Sequence, residues 1–248
     1  MRTVLILKKY GVFYLTGAAL ILWLKYRYGH GSCEELLWLL APAAAWSGFL
    51  GGFSFFYEPG VGYISHSVRL VIAPSCSGVQ FMLIAFGMLL FTFVHRMGTR
   101  KRAAGWMAIS LAGAYGYTIL VNGIRIVLAV RVPAWLLSAG LFTGQLSSER
   151  LHTVIGAAVY FSGLLLLYQA ADRLLEGPGV WKERLLPGSF PYVIPAFWYL
   201  FIVLGVPFLN QALQKDPRGY LEFAAVTAGV CFGILTILYG CRKMHLKE

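Results

Sequence analysis

Long apolar stretches recur along this chain, separated by short polar or glycine-rich segments, and they decide what kind of structure it can adopt. They cover residues 4–24, 36–56, 79–95, 104–130, 153–171, 190–211 and 221–241. An α-helix rises about 1.5 Å per residue, so roughly 20 residues cross a hydrocarbon core of about 30 Å. With 58% hydrophobic and only 12% charged residues among 248, the chain carries about half the charge of an ordinary soluble domain. One aqueous core could not hide that much apolar surface, so lipid must solvate part of it. The expectation is an all-alpha polytopic membrane protein forming a single domain over residues 1–248. About seven transmembrane helices are expected, with six and eight as the neighbouring counts.

Charge placement supports this reading and excludes another. The net charge of +11 comes from 21 Lys and Arg against 10 acids. Most of the basic residues fall in short segments between apolar stretches, where they act as topology signals and meet lipid headgroups. No basic amphipathic element or aromatic-interleaved basic tract points to nucleic acid. Seven crossings put the segments 25–35, 96–103, 172–189 and the tail after 241 on one side. That side holds twelve basic residues against eight on the other, and Arg96, Arg100, Lys101 and Arg102 make it the expected cytoplasmic side. The Cys76 region is then expected outside. Arg2, Lys8 and Lys9 fit this assignment poorly, because they argue for a cytoplasmic start. The stretch Val12–Leu24 runs into Lys25 without a small-residue cleavage site, so no cleavable signal peptide is expected.

Residues 58–78 break the helical pattern. Pro59, Gly60, Gly62, Pro74 and Gly78 punctuate Ile64, Val68, Leu70 and Ile72, which predicts a short strand or hairpin leading to Cys76 at the outer face. Residues 172–189 read as an amphipathic or irregular connector. Three polar side chains then converge on one leaflet: Cys76 in Pro74-Ser75-Cys76-Ser77-Gly78, Arg125 in Asn122-Gly123-Ile124-Arg125, and His152 in Glu149-Arg150-Leu151-His152. A thiolate can attack an amide carbonyl, an imidazole can take the thiol proton and return it to the leaving amine, and a guanidinium can stabilise an oxyanion. Asn122, Ser75, Ser77 and Glu149 are the candidate supporting residues around this set.

Each residue also has an ordinary structural role. Membrane cysteines commonly serve as small buried hydrophobes, histidines at helix starts as interfacial groups, and membrane arginines as snorkelling or paired cations. The alternative function is a non-enzymatic membrane channel, transporter or binding scaffold. Before Arg150 the acids are Glu34, Glu35, Glu58 and Glu149. None lies deep in an apolar stretch, which weakens a proton-coupled transporter. Cys33, Cys76, Cys231 and Cys241 lack metal-ligand spacing, and neither a phosphate loop nor a His-Glu-x-x-His motif occurs, so no cofactor or metal is expected.

The motifs Pro74-Ser-Cys76-Ser-Gly, Asn122-Gly-Ile-Arg125 and His152-Thr-Val-Ile-Gly156, with the approach from Gly62 to Ala73, resemble the exosortase/archaeosortase family over residues 55–170. The likeness is greatest to the exosortase K subfamily. The resemblance implies a cysteine endopeptidase or transpeptidase in the cytoplasmic membrane of a bacterium or archaeon, with its active site facing the periplasm or cell exterior. It implies Cys76 as nucleophile, His152 as general base and acid, and Arg125 as oxyanion or positioning residue. The implied partner is an exported protein with a C-terminal recognition motif, a transmembrane segment and a basic tail. The acceptor is left open, as is the choice between hydrolysis and transpeptidation.

Overall fold

A computed structural model describes residues 2–140, 148–176 and 192–245. The chain is mostly helical and divides into two compact units, Met1–Val127 and Leu128–Glu248. Among the described residues, four helical stretches are long and apolar enough to cross a membrane: Pro74–Arg96, Arg100–Ser138, Glu149–Leu175 and Pro217–Cys241.

In the first unit, α1 (Arg2–His30) lies antiparallel to α3 (Val79–Phe93). The ends of α1 fix its direction. Lys9 donates to the Gly98 carbonyl and Tyr14 stacks on Phe91, whereas Tyr28 and Cys76 pack against one apolar cluster at the other end. Helix α3 is apolar on every side, and all residues from Phe81 to Leu90 are buried. A helix without a polar face has to be enclosed. Helix α4 (Arg100–Ser138) rises from the basic turn toward Arg125 and continues across the division into the second unit.

The stretch 36–56 does not form a single helix of membrane-crossing length. A 3-10 turn at Glu34–Leu36 leads into α2 (Leu37–Gly51), whose 15 residues rise only about 22 Å. Trp38 stacks on Tyr115 and accepts its hydroxyl, while Trp46 donates to the Leu120 carbonyl. Helix α2 therefore runs beside α4 in the same direction and does not return the chain to the basic end. Gly52, at φ 69, ends it. The apolar character of this stretch belongs to an internal face formed by Leu39, Leu40, Ala43 and Ala44.

This geometry corrects the side assignment drawn from strict alternation. Lys9 lies with the 96–102 cluster, and Arg27 lies at the Cys76 end with Tyr28. The basic N-terminus and the 96–102 cluster therefore share one end of the first unit.

After α2 comes a three-stranded antiparallel meander, β1 (Phe56–Glu58), β2 (Gly62–Ser65) and β3 (Leu70–Ile72), in that order across the sheet. Tyr63 pairs with both Tyr57 and Ile72, and Ser65 with Leu70. The short strand or hairpin expected before Cys76 is thus present, with one strand more. Glu34 accepts the Gly60 N–H at 2.9 Å, tying the first turn of the meander to the α1–α2 connection.

The second unit is built on α5 (Ser148–Glu176), which packs against α6 (Val193–Leu209) and α7 (Pro217–His245). Phe161 meets Tyr199 with ring centroids 5.4 Å apart, and Arg150 pairs with Glu222. Helix α6 is short for a crossing and contains a π turn at Phe201–Gly205. Of the expected connector 172–189, residues 172–176 continue α5 and the rest lie outside the described residues, as do the first residues of the stretch 190–211.

Candidate active site

Strand β3 delivers the chain to Cys76. Ile72 is fully buried in a cluster with Cys33, Leu36, Leu40, Ala44 and Ile126, which anchors the end of the meander. Residues Pro74–Cys76 then form a single 3-10 turn. The Cys76 N–H donates to the Ala73 carbonyl at 2.8 Å, and the Ser77 N–H to the Pro74 carbonyl at 3.1 Å. Pro74 suits this place because its ring presets the turn and no N–H is wasted.

Gly78 makes the switch into α3. Its φ of 79 lies in the left-handed region, where a side chain is strained. A Cβ there would also come within 3.0 Å of Thr118 and 3.1 Å of Asn122. The start of α3 is therefore pressed directly against α4, and Cys76 is carried with it.

That contact brings Asn122 to the cysteine turn. Asn122 is completely buried; its Nδ2 donates to the Cys76 carbonyl at 2.8 Å, and its Oδ1 accepts Arg125 Nε at 3.0 Å. One amide joins the backbone of Cys76 to the guanidinium of Arg125, which is only 6% exposed. Three residues on a helix bring Asn122 and Arg125 onto one face, as their spacing predicts. Gly123 gives Trp46 room to lie against α4, so the same short motif also seats α2.

Ser77 is buried, and its hydroxyl accepts the Val79 N–H at 3.4 Å, bridging the 3-10 turn to the first turn of α3. Ser75 is exposed beside it. Arg125 held so tightly is a preorganised cation: its side chain does not have to be ordered when charge develops nearby.

The first unit thus brings together Cys76, Ser77, Asn122 and Arg125. His152 belongs to the second unit, on the second turn of α5, where it is exposed; Glu149, one turn earlier on the same helix, is exposed as well. Thr153 donates to the Glu149 carbonyl at 3.1 Å. Both polar ends of the Asn122 side chain serve the cysteine turn and Arg125.

One residue at this site has no sequence signature. Tyr28, near the end of α1, packs against the same apolar cluster as Cys76. Burial, and then the nearby Cys76 sulfur, push the Tyr28 phenol above its ordinary value, against a downward pull from Ser77. It therefore keeps its proton at neutral pH. In the sequence, Lys25-Tyr26-Arg27-Tyr28 reads as a generic membrane-interface cluster.

No group of three or more metal-ligating side chains occurs among the described residues. No family model, curated protein or solved structure matches this chain.

Proposed function

We propose that this chain is a membrane-embedded cysteine endopeptidase or transpeptidase of exosortase type. Its substrate is the C-terminal sorting tail of an exported protein, made of a recognition motif, a transmembrane segment and a basic end. The observation that carries this reading is the buried Asn122 bridge, which holds the turn bearing a thiol and the guanidinium of Arg125 in one preorganised unit.

The reaction begins when the Cys76 thiol gives its proton to His152. The sulfur then forms a bond to the scissile carbonyl carbon, and the carbonyl electrons move to oxygen. Arg125 stabilises that oxyanion. As the oxyanion collapses, the C–N bond breaks and the departing amine takes the proton held by His152. Water, or an amine or hydroxyl of an acceptor, then attacks the thioester carbonyl while His152 takes its proton; the C–S bond breaks, and the departing Cys76 sulfur takes that proton back. This scheme requires the imidazole of His152 to reach the Cys76 thiol in the reacting state.

The same proposal fixes an orientation. Arg2, Lys8, Lys9, Arg96, Arg100, Lys101 and Arg102 mark the cytoplasmic end of the first unit, and the Cys76 end faces outward. Helix α1 crosses beside α3 in this arrangement, and α2 remains in the outer half.

Processing of a tail-bearing substrate in reconstituted membranes tests the reading. Cys76→Ala and Cys76→Ser should bind the tail and leave it uncut. Wild-type processing by both variants would refute the nucleophile. Solute flux that survives joint replacement of Cys76 and His152 would favour a channel or transporter.

A further inference from the structure

An apolar groove of about 480 Å³ lies within the first unit, walled by Leu20 and Leu24 from α1, Met82 from α3, and Ala108, Leu111 and Ala112 from α4. The two alanines, one turn apart and both exposed, keep the α4 side low; larger side chains there would fill the space. A water held in a cavity needs about two to four polar partners, and these side chains offer none. Helices α3 and α4 belong to stretches of membrane-crossing length, so in a bilayer the groove takes a hydrocarbon chain.

The groove adjoins a more polar cavity of about 290 Å³, and Trp23, Leu24 and Trp38 line both. Trp38 stacks on Tyr115 with ring centroids 5.6 Å apart. Aromatic rings thus stand where the apolar wall gives way to polar groups, the place they favour at a membrane surface. Beyond them the second cavity carries Arg27 and Glu35, whose Nη2 and Oε1 meet at 3.1 Å with the side chains 53% and 45% exposed. That contact uses one guanidinium nitrogen and one carboxylate oxygen, which leaves further N–H donors and Oε2 to meet a second pair of opposite charges. Glu34 is engaged elsewhere, on the Gly60 N–H. From Leu20 to Arg27 helix α1 rises about 10 Å, so the charged pair stands a short way along the helix from the apolar groove.

We propose that these adjoining cavities hold one phospholipid whose headgroup carries a primary ammonium, as in phosphatidylethanolamine. An acyl chain lies in the groove, the phosphate meets Arg27 and the ammonium meets Glu35. A zwitterionic headgroup carries its two charges close together, and a cation and an anion in contact complement it. Phosphatidylcholine has no N–H to donate to the carboxylate. Phosphatidylglycerol brings a phosphate for Arg27 and no cation for Glu35. The site is separate from the chemistry at Cys76 and stands whether or not that residue is a nucleophile.

The experiment places the full-length protein in phosphatidylcholine nanodiscs with a trace of phosphatidylethanolamine bearing a photoreactive diazirine in its acyl chain, and maps the adducts by peptide mass spectrometry. Peptides holding Leu20–Leu24 and Ala108–Ala112 should be labelled more heavily than the face of α7 at Phe232 and Ile237, which is exposed without a groove. Unlabelled phosphatidylethanolamine should compete about two- to fivefold better than phosphatidylglycerol, the range of a half-exposed charge pair. Glu35→Gln should abolish that preference, and Arg27→Gln should weaken competition by both lipids. Ala112→Phe, which fills the groove and leaves the charged pair intact, should remove most of the groove labelling and leave α7 labelling unchanged; the α7 signal reports that each variant is inserted and folded. Equal competition by the two lipids in the wild type would overturn the headgroup assignment, and groove labelling no heavier than that of α7 would overturn the site. Displacement of the label by a sorting-tail peptide, but not by excess unlabelled phosphatidylethanolamine, would give the groove to the substrate instead.

Discussion

The stretch beginning at the cysteine turn, Pro74–Arg96, and the one in the last helix, Pro217–Cys241, have the same mean hydropathy, 2.0, and opposite surroundings. Within the protein, 78% of the first is buried and only 11% of the second. Helix α3 is enclosed by its own unit, with Phe81, Phe86, Leu90 and Phe93 at 1% exposure or less. Helix α7 buries little beyond Thr227 and Cys231 and leaves Phe232 and Ile237 about two-thirds exposed. Hydropathy thus reports that a helix must be kept from water, and not what does the keeping. The distinction matters for chemistry. A helix face packed against protein, such as the α4 face that carries Asn122 and Arg125, can hold polar groups against fixed partners, whereas a face turned to lipid has no fixed partners to offer.

The largest expected effect separates these two surroundings directly. Phe86→Ala should destabilise the protein by about 3–5 kcal/mol through lost packing and a residual cavity. Phe232→Ala on α7 should change stability by no more than about 0.5 kcal/mol. Denaturant unfolding in one detergent compares them, and equal losses would break the contrast.

Asn122→Leu comes next. It leaves the Cys76 carbonyl and the Arg125 guanidinium without their shared amide in a buried place, at a cost of about 2–3 kcal/mol. The measurement is again unfolding, now paired with tail processing. A variant as stable and as active as wild type would mean that the amide bridge is incidental.

The smallest expected effect is the most specific. Arg125→Lys keeps the charge and loses the planar fork. Folded Arg125→Lys protein should bind the tail normally and acylate at least about tenfold more slowly, a loss of at least roughly 1.4 kcal/mol in transition-state stabilisation. Pre-steady-state acylation with a separate binding assay divides this from a structural role, which would appear as poor folding or low membrane yield.

Much of the local structure around Cys76 and Arg125 was readable from residue order. The apolar stretches around 79–95, 104–130, 153–171 and 221–241 are helices of membrane-crossing length, and the Gly- and Pro-marked approach to Cys76 is a β meander. The Asn122–Arg125 pair follows from helical spacing alone. What escaped the sequence depends on tertiary contact. Residues 36–56 are as apolar as a crossing, and only the left-handed stop at Gly52 and the packing of Trp38 and Trp46 on α4 show that α2 is short and internal. That one difference reversed the sides given to Lys9 and Arg27. Tyr28 was hidden for a related reason, since it is 48 positions from Cys76 and nothing nearby marks it. His152, read from motif and helix order, stands exposed on α5 in the second unit.

The most direct test of the whole account is intact-protein mass spectrometry of the reconstituted protein quenched within the first turnover with a tail substrate. The account predicts a mass increase equal to the acyl portion of the substrate, localised to the peptide containing Cys76, absent in Cys76→Ala and released by hydroxylamine. Tail cleavage proceeding at the wild-type rate in Cys76→Ala, with no adduct on Cys76 in the wild type, would contradict it.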